Sequence, residues 1–290
     1  MISLPATVAA ALAIRQPTKH ATARHDALTV AAVAVIVYAL SSLLHEGVGH
    51  GGACLLVGAK PIELSSMHFE CSVLDDGLAP ERIVAAGGTI ATLIGGALAM
   101  LLYKILPGPR VLRYALWLFA AVNLMQGTGY FFYSGVSGIG DWAAVIGGLE
   151  PEVLWRSGIT VVGLISYLLV TKWVFLALDP FVGDARPRKY QHATRLGLIP
   201  YFAGAALEVA AGAFNAGGLR LVLISGAAAS LGGTSGLVWG PQTLRGETTP
   251  SDMLEIPVTI VERSWLTILL AAVVAVGFVA IFGKGLSFAL

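Results

Sequence analysis

The residues best suited to chemistry are His45-Glu46-Gly47-Val48-Gly49-His50, directly after the apolar run Ala27 to Leu44. Neutral imidazoles bind Zn²⁺, and an unligated carboxylate beside them can take a proton from a water that the metal has made acidic. A carboxylate at mid-membrane costs roughly 2.5 to 3.5 kcal/mol even on the milder insertion scale. A His-Glu-His cluster at the end of an apolar run therefore marks a functional site. Its spacing makes a geometric demand. At about 100° per residue, five residues turn roughly 500° and splay two imidazoles by about 140° on a straight α-helix. A π-bulge, with hydrogen bonds shifted to i→i+5, returns them to one face, and Gly47 and Gly49 make that distortion cheaper. The competing reading is a hydrogen-bonded polar knot between helices.

Two imidazoles leave a catalytic zinc site one protein ligand short, with a further position kept for water. Asp141, in Gly138-Ile139-Gly140-Asp141-Trp142, is the leading candidate, being the only acidic residue between Glu81 and Glu150. The plainer reading of Asp141 is a cap for a short helix beginning at Trp142. Glu208, inside an apolar stretch, competes with it as a ligand, as a partner to an imidazole, or as the mark of a proton or ion path. Asn123 lies in another apolar stretch, where a buried amide must find hydrogen bonds. It is a candidate donor to a substrate carbonyl, or a packing bond between helices.

The elements that must position these residues are membrane helices. Of 290 residues, 56% are hydrophobic, only 12% are charged and 35 are glycine, whereas soluble domains carry about 25% charged residues. Lys and Arg total 18 against 17 Asp and Glu, so no basic face exists for nucleic acid. Spans of about 20 apolar residues fall at 27–58, 83–106, 111–133, 153–178, 196–214, 219–240 and 265–282. The expected fold is an all-α polytopic membrane protein of about seven transmembrane helices. Residues 1–26 read as a basic tail without the leading charge of a signal peptide, and 27–290 as one membrane domain, with a core of about 27–148 and accessory helices over about 153–290. On alternating faces, twelve Lys and Arg fall inside and five outside when the amino terminus is inside, which favours a cytoplasmic amino terminus. Small-residue spacing at Gly232, Gly236 and Gly240, and the pairs Gly87-Gly88 and Gly95-Gly96, suit close helix packing. From Ser66 to Val73 apolar and polar residues alternate, the period of a strand. Ile62 and Leu64 flank Glu63 as its partner, so a small β-hairpin follows the first span. Cys54 and Cys71 are too few for a disulfide scaffold, and their spacing leaves open whether they pair.

His45, Glu46 and His50, the strand-like Ser66 to Val73, Asn123 and Asp141 stand in an order that resembles the site-2 protease family of intramembrane zinc metalloproteases. The resemblance covers roughly residues 27 to 148. Against the family's H-E-x-x-H, the histidines here are one residue further apart, and Trp142 follows Asp141. The resemblance implies that His45, His50 and Asp141 bind Zn²⁺, that Glu46 activates water, and that Asn123 helps position the scissile peptide. It further implies a membrane-anchored protein substrate, added as a strand to the hairpin edge, in the bilayer of the cell (inner) membrane. The same zinc chemistry would serve a hydrolase of lipid amides or esters. A non-enzymatic transporter, with Glu208 and the histidines handling ions, is the reading from a different class.

Overall fold

The computed structural model describes residues 24–72, 78–108, 110–183, 188–215, 231–245 and 258–288. The first helix begins at a capping Asp: the Asp26 carboxylate accepts from the Thr29 backbone N–H at 2.9 Å and from its hydroxyl at 2.8 Å, satisfying a donor the helix itself leaves free. Helix α1 (Ala27–Leu43) runs without a break into a π-helical segment (Leu44–Gly51) and a last α-turn, α2 (Gly52–Leu56). Strands β1 (Lys60–Leu64) and β2 (Phe69–Ser72) follow, then α3 (Leu78–Ile105) and α4 (Arg110–Ser137). Next come the short α5 (Asp141–Ile146), α6 (Glu152–Leu176), the short α7 (Asp179–Val182) and α8 (Arg188–Gly212). The described remainder holds α9 (Gly236–Trp239), a 3₁₀ turn (Gly240–Leu244), α10 (Trp265–Gly277), a second π segment (Phe278–Phe282) and β3 (Leu286–Ser287).

Four helical stretches among the described residues are long and apolar enough to cross a membrane: Ala27–Leu56, α3, α6 and Trp265–Phe282. The expectation of seven was set by apolar content alone, and three of its spans differ. Helix α4 is the central one. Tyr114, Trp117, Leu118, Ala121, Val122 and Met125 are wholly buried on it, so protein rather than lipid surrounds it and its polar residues are tolerated. Helix α8 opens on Arg188 and Lys189 and carries Pro200 and Glu208. The span expected at 219–240 lies partly outside the described residues. Its described end is broken into short turns that wedge into the bundle, with Gly236 against Thr171 and Met125 and Gly240 against Phe175. Gly236 and Gly240 thus serve close packing without forming a continuous helix.

The hairpin is present and carries a third strand. The order is β2-β1-β3, all antiparallel, with Leu64 opposite Phe69 on one side and Leu286 on the other. Ser66 to His68, expected in the strand, form the turn, where Ser65 N–H donates to the His68 carbonyl. A disulfide joins Cys54 to Cys71, tying the end of the first helix to β2 around a small core of Cys54, Ala59 and Phe69. Helix α10 runs parallel to α1: Ser264 N–H donates to Thr29 Oγ1 at its start, and Ser66 N–H donates to the Phe282 carbonyl at its end. The sheet therefore closes one end of the bundle.

The opposite end is stapled by a residue first assigned to the basic tail. His25 is 1% exposed. Its Nε2 donates to the Phe181 carbonyl at 3.0 Å, its Nδ1 accepts from Val261 N–H at 3.1 Å, and the His192 ring meets it edge-on. Asp26 beside it is ion-paired to Arg263. His25 and Asp26 thus belong to the folded body; residues 1–23 lie outside the described part.

Two measurements test these ties. Burial first, and then the neighbouring His192, push the His25 pKa down to about 3. The unfolded chain, with an ordinary value near 6.5, therefore binds more protons between the two, so stability falls as pH drops from about 6.5 towards 3. Arg263 likewise holds Asp26 down, to about 2, and that contribution is lost only below the ordinary Asp value. Thermal unfolding in detergent is expected to show a steeper loss between pH 6.5 and 4.5 for the wild type than for His25→Asn. Second, the disulfide closes a loop of 17 residues, worth about 3 kcal/mol by chain entropy. Cys71→Ser should lower the non-reducing melting temperature, and the wild type should present no alkylatable thiol until reduced.

Candidate metal centre

Leu44–Gly51 adopts the π conformation that the five-residue spacing requires. With hydrogen bonds running i→i+5, His45 and His50 meet edge-on on one face, their ring centroids 4.8 Å apart and their Nε2 atoms 3.2 Å apart. Glycines let the neighbouring helix come close enough to line the pair. A Cβ at Gly49 would lie 2.5 Å from the Gly88 Cα. One at Gly88 would lie 2.5 Å from His50 Nε2 and 2.6 Å from His45 Nε2. The imidazoles occupy the space that a side chain on α3 would take.

The backbone of α3 also sets the tautomer of His50. Its Nδ1 lies 2.7 Å from the Val84 carbonyl, which can only accept, so Nδ1 carries the hydrogen. In the neutral ring this leaves a lone pair on Nε2, aimed at His45, as a metal ligand requires.

Asp141 arrives from the far end of α4. The connection turns at Gly138 (φ +71°) and Gly140 (φ +87°), values in the left-handed region that favours glycine. Gly140 is the N-cap of α5 and Asp141 its first residue, so Asp141 does not act as the cap. Its Oδ2 instead lies 3.2 Å from His45 Nε2 and 3.3 Å from His50 Nε2. The Arg82 guanidinium donates to the Gly147 carbonyl at 2.6 Å, and Trp142 packs on Phe131. Both contacts hold α5 against the bundle.

These three atoms form a nearly equilateral triangle of 3.2, 3.2 and 3.3 Å. Ligands about 2.0 to 2.1 Å from a tetrahedral metal stand about 3.3 Å apart, so the edges fit. The buried Oδ2 receives no hydrogen bond despite its two close nitrogens, meaning that no N–H points at it. Convergence of three such atoms is repulsive unless a proton or a cation lies among them. As a carboxylate, Asp141 would supply the negative charge that a cation among these atoms requires. The three side chains are 10 to 17% exposed, which leaves an approach from one side. His45, His50 and Asp141 together could hold a metal ion.

Glu46 is buried and outside the triangle, with its charge reaching His50 and Tyr130. Asn123 is fully buried, and its amide donates to Ser41 Oγ and to the Phe119 carbonyl, both at 2.8 Å. Its amide N–H groups are thus committed to protein, one of them across helices, while its Oδ1 has no hydrogen-bond partner among the described residues. Glu208 accepts from Ser42 Oγ at 2.6 Å, one turn before Glu46 and likewise outside the triangle.

Sequence reasoning missed Tyr130 and the Val84 carbonyl, and read Gly88 only as a helix-packing residue. Tyr130 follows Asn123 by two helical turns, a usable signal, and its ring lies 5.5 Å from that of His45. The Val84 carbonyl has no side-chain signature. No protein-family model, no curated protein and no solved structure matches this chain.

Gly88→Ala should place a methyl group into the imidazole pair. Elemental mass spectrometry of detergent-purified protein is expected to find about one metal ion per chain in the wild type. Gly88→Ala and the His45→Ala/His50→Ala double variant should be close to empty. A Gly88→Ala protein that retains full metal content would show that the pair is not the site.

Proposed function

We propose that the chain is an intramembrane zinc metallopeptidase that hydrolyses peptide bonds of membrane-anchored proteins. The observation that carries this reading is the triangle of acceptors at tetrahedral spacing, with an unligated carboxylate, Glu46, on the adjacent residue. Two imidazoles and one carboxylate with an open side are the donor set of a catalytic zinc site. Bound there, Zn²⁺ would supply a Lewis acid that polarises a carbonyl and acidifies a water.

The protein's own residues do the rest. Asp141 contributes the charge that favours a dication, and Val84 keeps the His50 lone pair on the site. Glu46 takes the proton from the attacking water and delivers it to the leaving nitrogen. Leu64 and Phe69 seat the sheet on the π segment, Phe69 facing Gly51 immediately after His50. Strand β2 is the outer strand of its sheet, an edge on which an extended substrate can pair. An extended strand also exposes the carbonyls that a helix hides.

The disulfide supports an orientation. Disulfides form in oxidising compartments, so on this reading the Cys54–Cys71 end is outside and the Arg24 end of α1 cytoplasmic in a cell (inner) membrane, the side that the distribution of Lys and Arg also favours.

Glu46→Gln is expected to retain metal and lose roughly 10²- to 10⁴-fold in turnover when membrane-helix peptides are incubated with the purified protein. Lipid amides supplied in parallel should remain intact. Cleavage of lipid amides alone would replace the peptidase reading with the lipid one, and full activity of the variant would remove Glu46 as the base.

A further inference from the structure

Acyl hydrolysis needs a donor for the oxygen on which negative charge develops. The resemblance assigns a positioning role at the peptide to Asn123, but both of its amide hydrogens are spent on Ser41 and Phe119. Tyr130 is differently placed. Its ring lies 5.5 Å from the His45 ring, and on its other side it borders Gly140, where a Cβ would lie 3.4 Å from its Cε1. Tyr130 therefore sits between one corner of the triangle and the residue preceding another. The carboxylates of Asp141 and Glu46 are both within its electrostatic reach.

Tyrosines inside a bundle ordinarily spend the hydroxyl on a protein partner, and four here do, whereas half-buried Tyr133 and Tyr201, like Tyr130, show no such bond among the described residues. Tyr38 donates to Thr234, Tyr103 to the Ala177 carbonyl and Tyr114 to the Leu196 carbonyl, while Tyr167 bonds Ser235 and Gly236. Among the described residues, no hydrogen bond engages the Tyr130 hydroxyl.

We infer that Tyr130 is a catalytic residue whose phenolic hydroxyl donates a hydrogen bond to the carbonyl oxygen of the scissile acyl group as it becomes an oxyanion. The step balances on the residues named. Water oxygen bonds to the carbonyl carbon, its proton passes to the Glu46 carboxylate, and the carbonyl π pair moves onto the oxygen held by Tyr130. On collapse that pair re-forms the carbonyl, the C–N bond breaks, and the proton on Glu46 goes to the departing nitrogen. Tyr130 keeps its own proton throughout. This role rests on the hydrolase reading but holds for a peptide or a lipid amide alike.

The test compares two inhibitors on zinc-loaded full-length protein. A phosphoramidate dipeptide carries a tetrahedral oxyanion; a mercaptoacyl dipeptide binds zinc through sulfur and has none. Tyr130→Phe, which keeps the ring against His45, should weaken phosphoramidate binding by about 10²- to 10³-fold, the range for one oxyanion donor. Mercaptoacyl affinity and zinc content should be unchanged, and Tyr133→Phe should behave as wild type with both. If the wild type binds both inhibitors and Tyr130→Phe weakens neither, or both equally, the role of Tyr130 is overturned while the hydrolase reading stands. If zinc-loaded wild type binds neither, the hydrolase reading fails and the role of Tyr130 with it.

Discussion

Two imidazoles five residues apart can face one another on a helix only if the helix widens, and that widening organises this end of the molecule. A π turn shifts each hydrogen bond to i→i+5, so His45 and His50 meet edge-on where an α-helix would splay them. Glycines at 47, 49 and 51 leave the turn without side chains to crowd it, and the bare backbone of α3 at Gly87 and Gly88 fills the space beside it. The site is thus held by backbone and by small residues. An added methyl at Gly49, Gly87 or Gly88 collides with the other helix or with the imidazoles themselves.

Around that contact the structure is a series of ties that fix where Asp141 arrives. Helix α4 crosses the centre of the bundle and delivers the chain to the site end. Two glycines with positive φ reverse it, and Arg82 anchors the far end of α5. The sheet and its disulfide close the same end from the other side. None of these elements carries the chemistry, but each removes a freedom that would let Asp141 drift from the imidazole pair. A metal site loses affinity quickly when such outer contacts are removed.

The polar residues inside the bundle divide by what their hydrogen bonds are spent on. Asn123 with Ser41, Tyr38 with Thr234 and Glu208 with Ser42 bind helix to helix. His45, His50 and Asp141 instead turn their acceptors on one another, with buried Glu46 beside them and the Tyr130 hydroxyl unspent. In an apolar interior, unmet acceptors in one place are costly, and a cation is the simplest way to meet them.

Much of this was legible in the chain itself. The His-Glu-His interval implied its own π distortion because helical periodicity is a local property. The alternation after Ser65 implied a hairpin for the same reason, and a lone Asp in a glycine-rich turn pointed to the third corner of the triangle. Other features needed the tertiary structure. Apolar content counts spans but cannot distinguish a helix facing lipid from one enclosed by protein, so α4, α8 and the segment around Gly236 were taken as equivalent to the rest. A free amide and a committed one look alike in sequence, so Asn123 could not be separated from Tyr130. His25 was assigned to the tail because its partners, Phe181 and Val261, lie 156 and 236 residues away. Local order reveals which groups are present; only packing decides which of their hydrogen bonds are already spent.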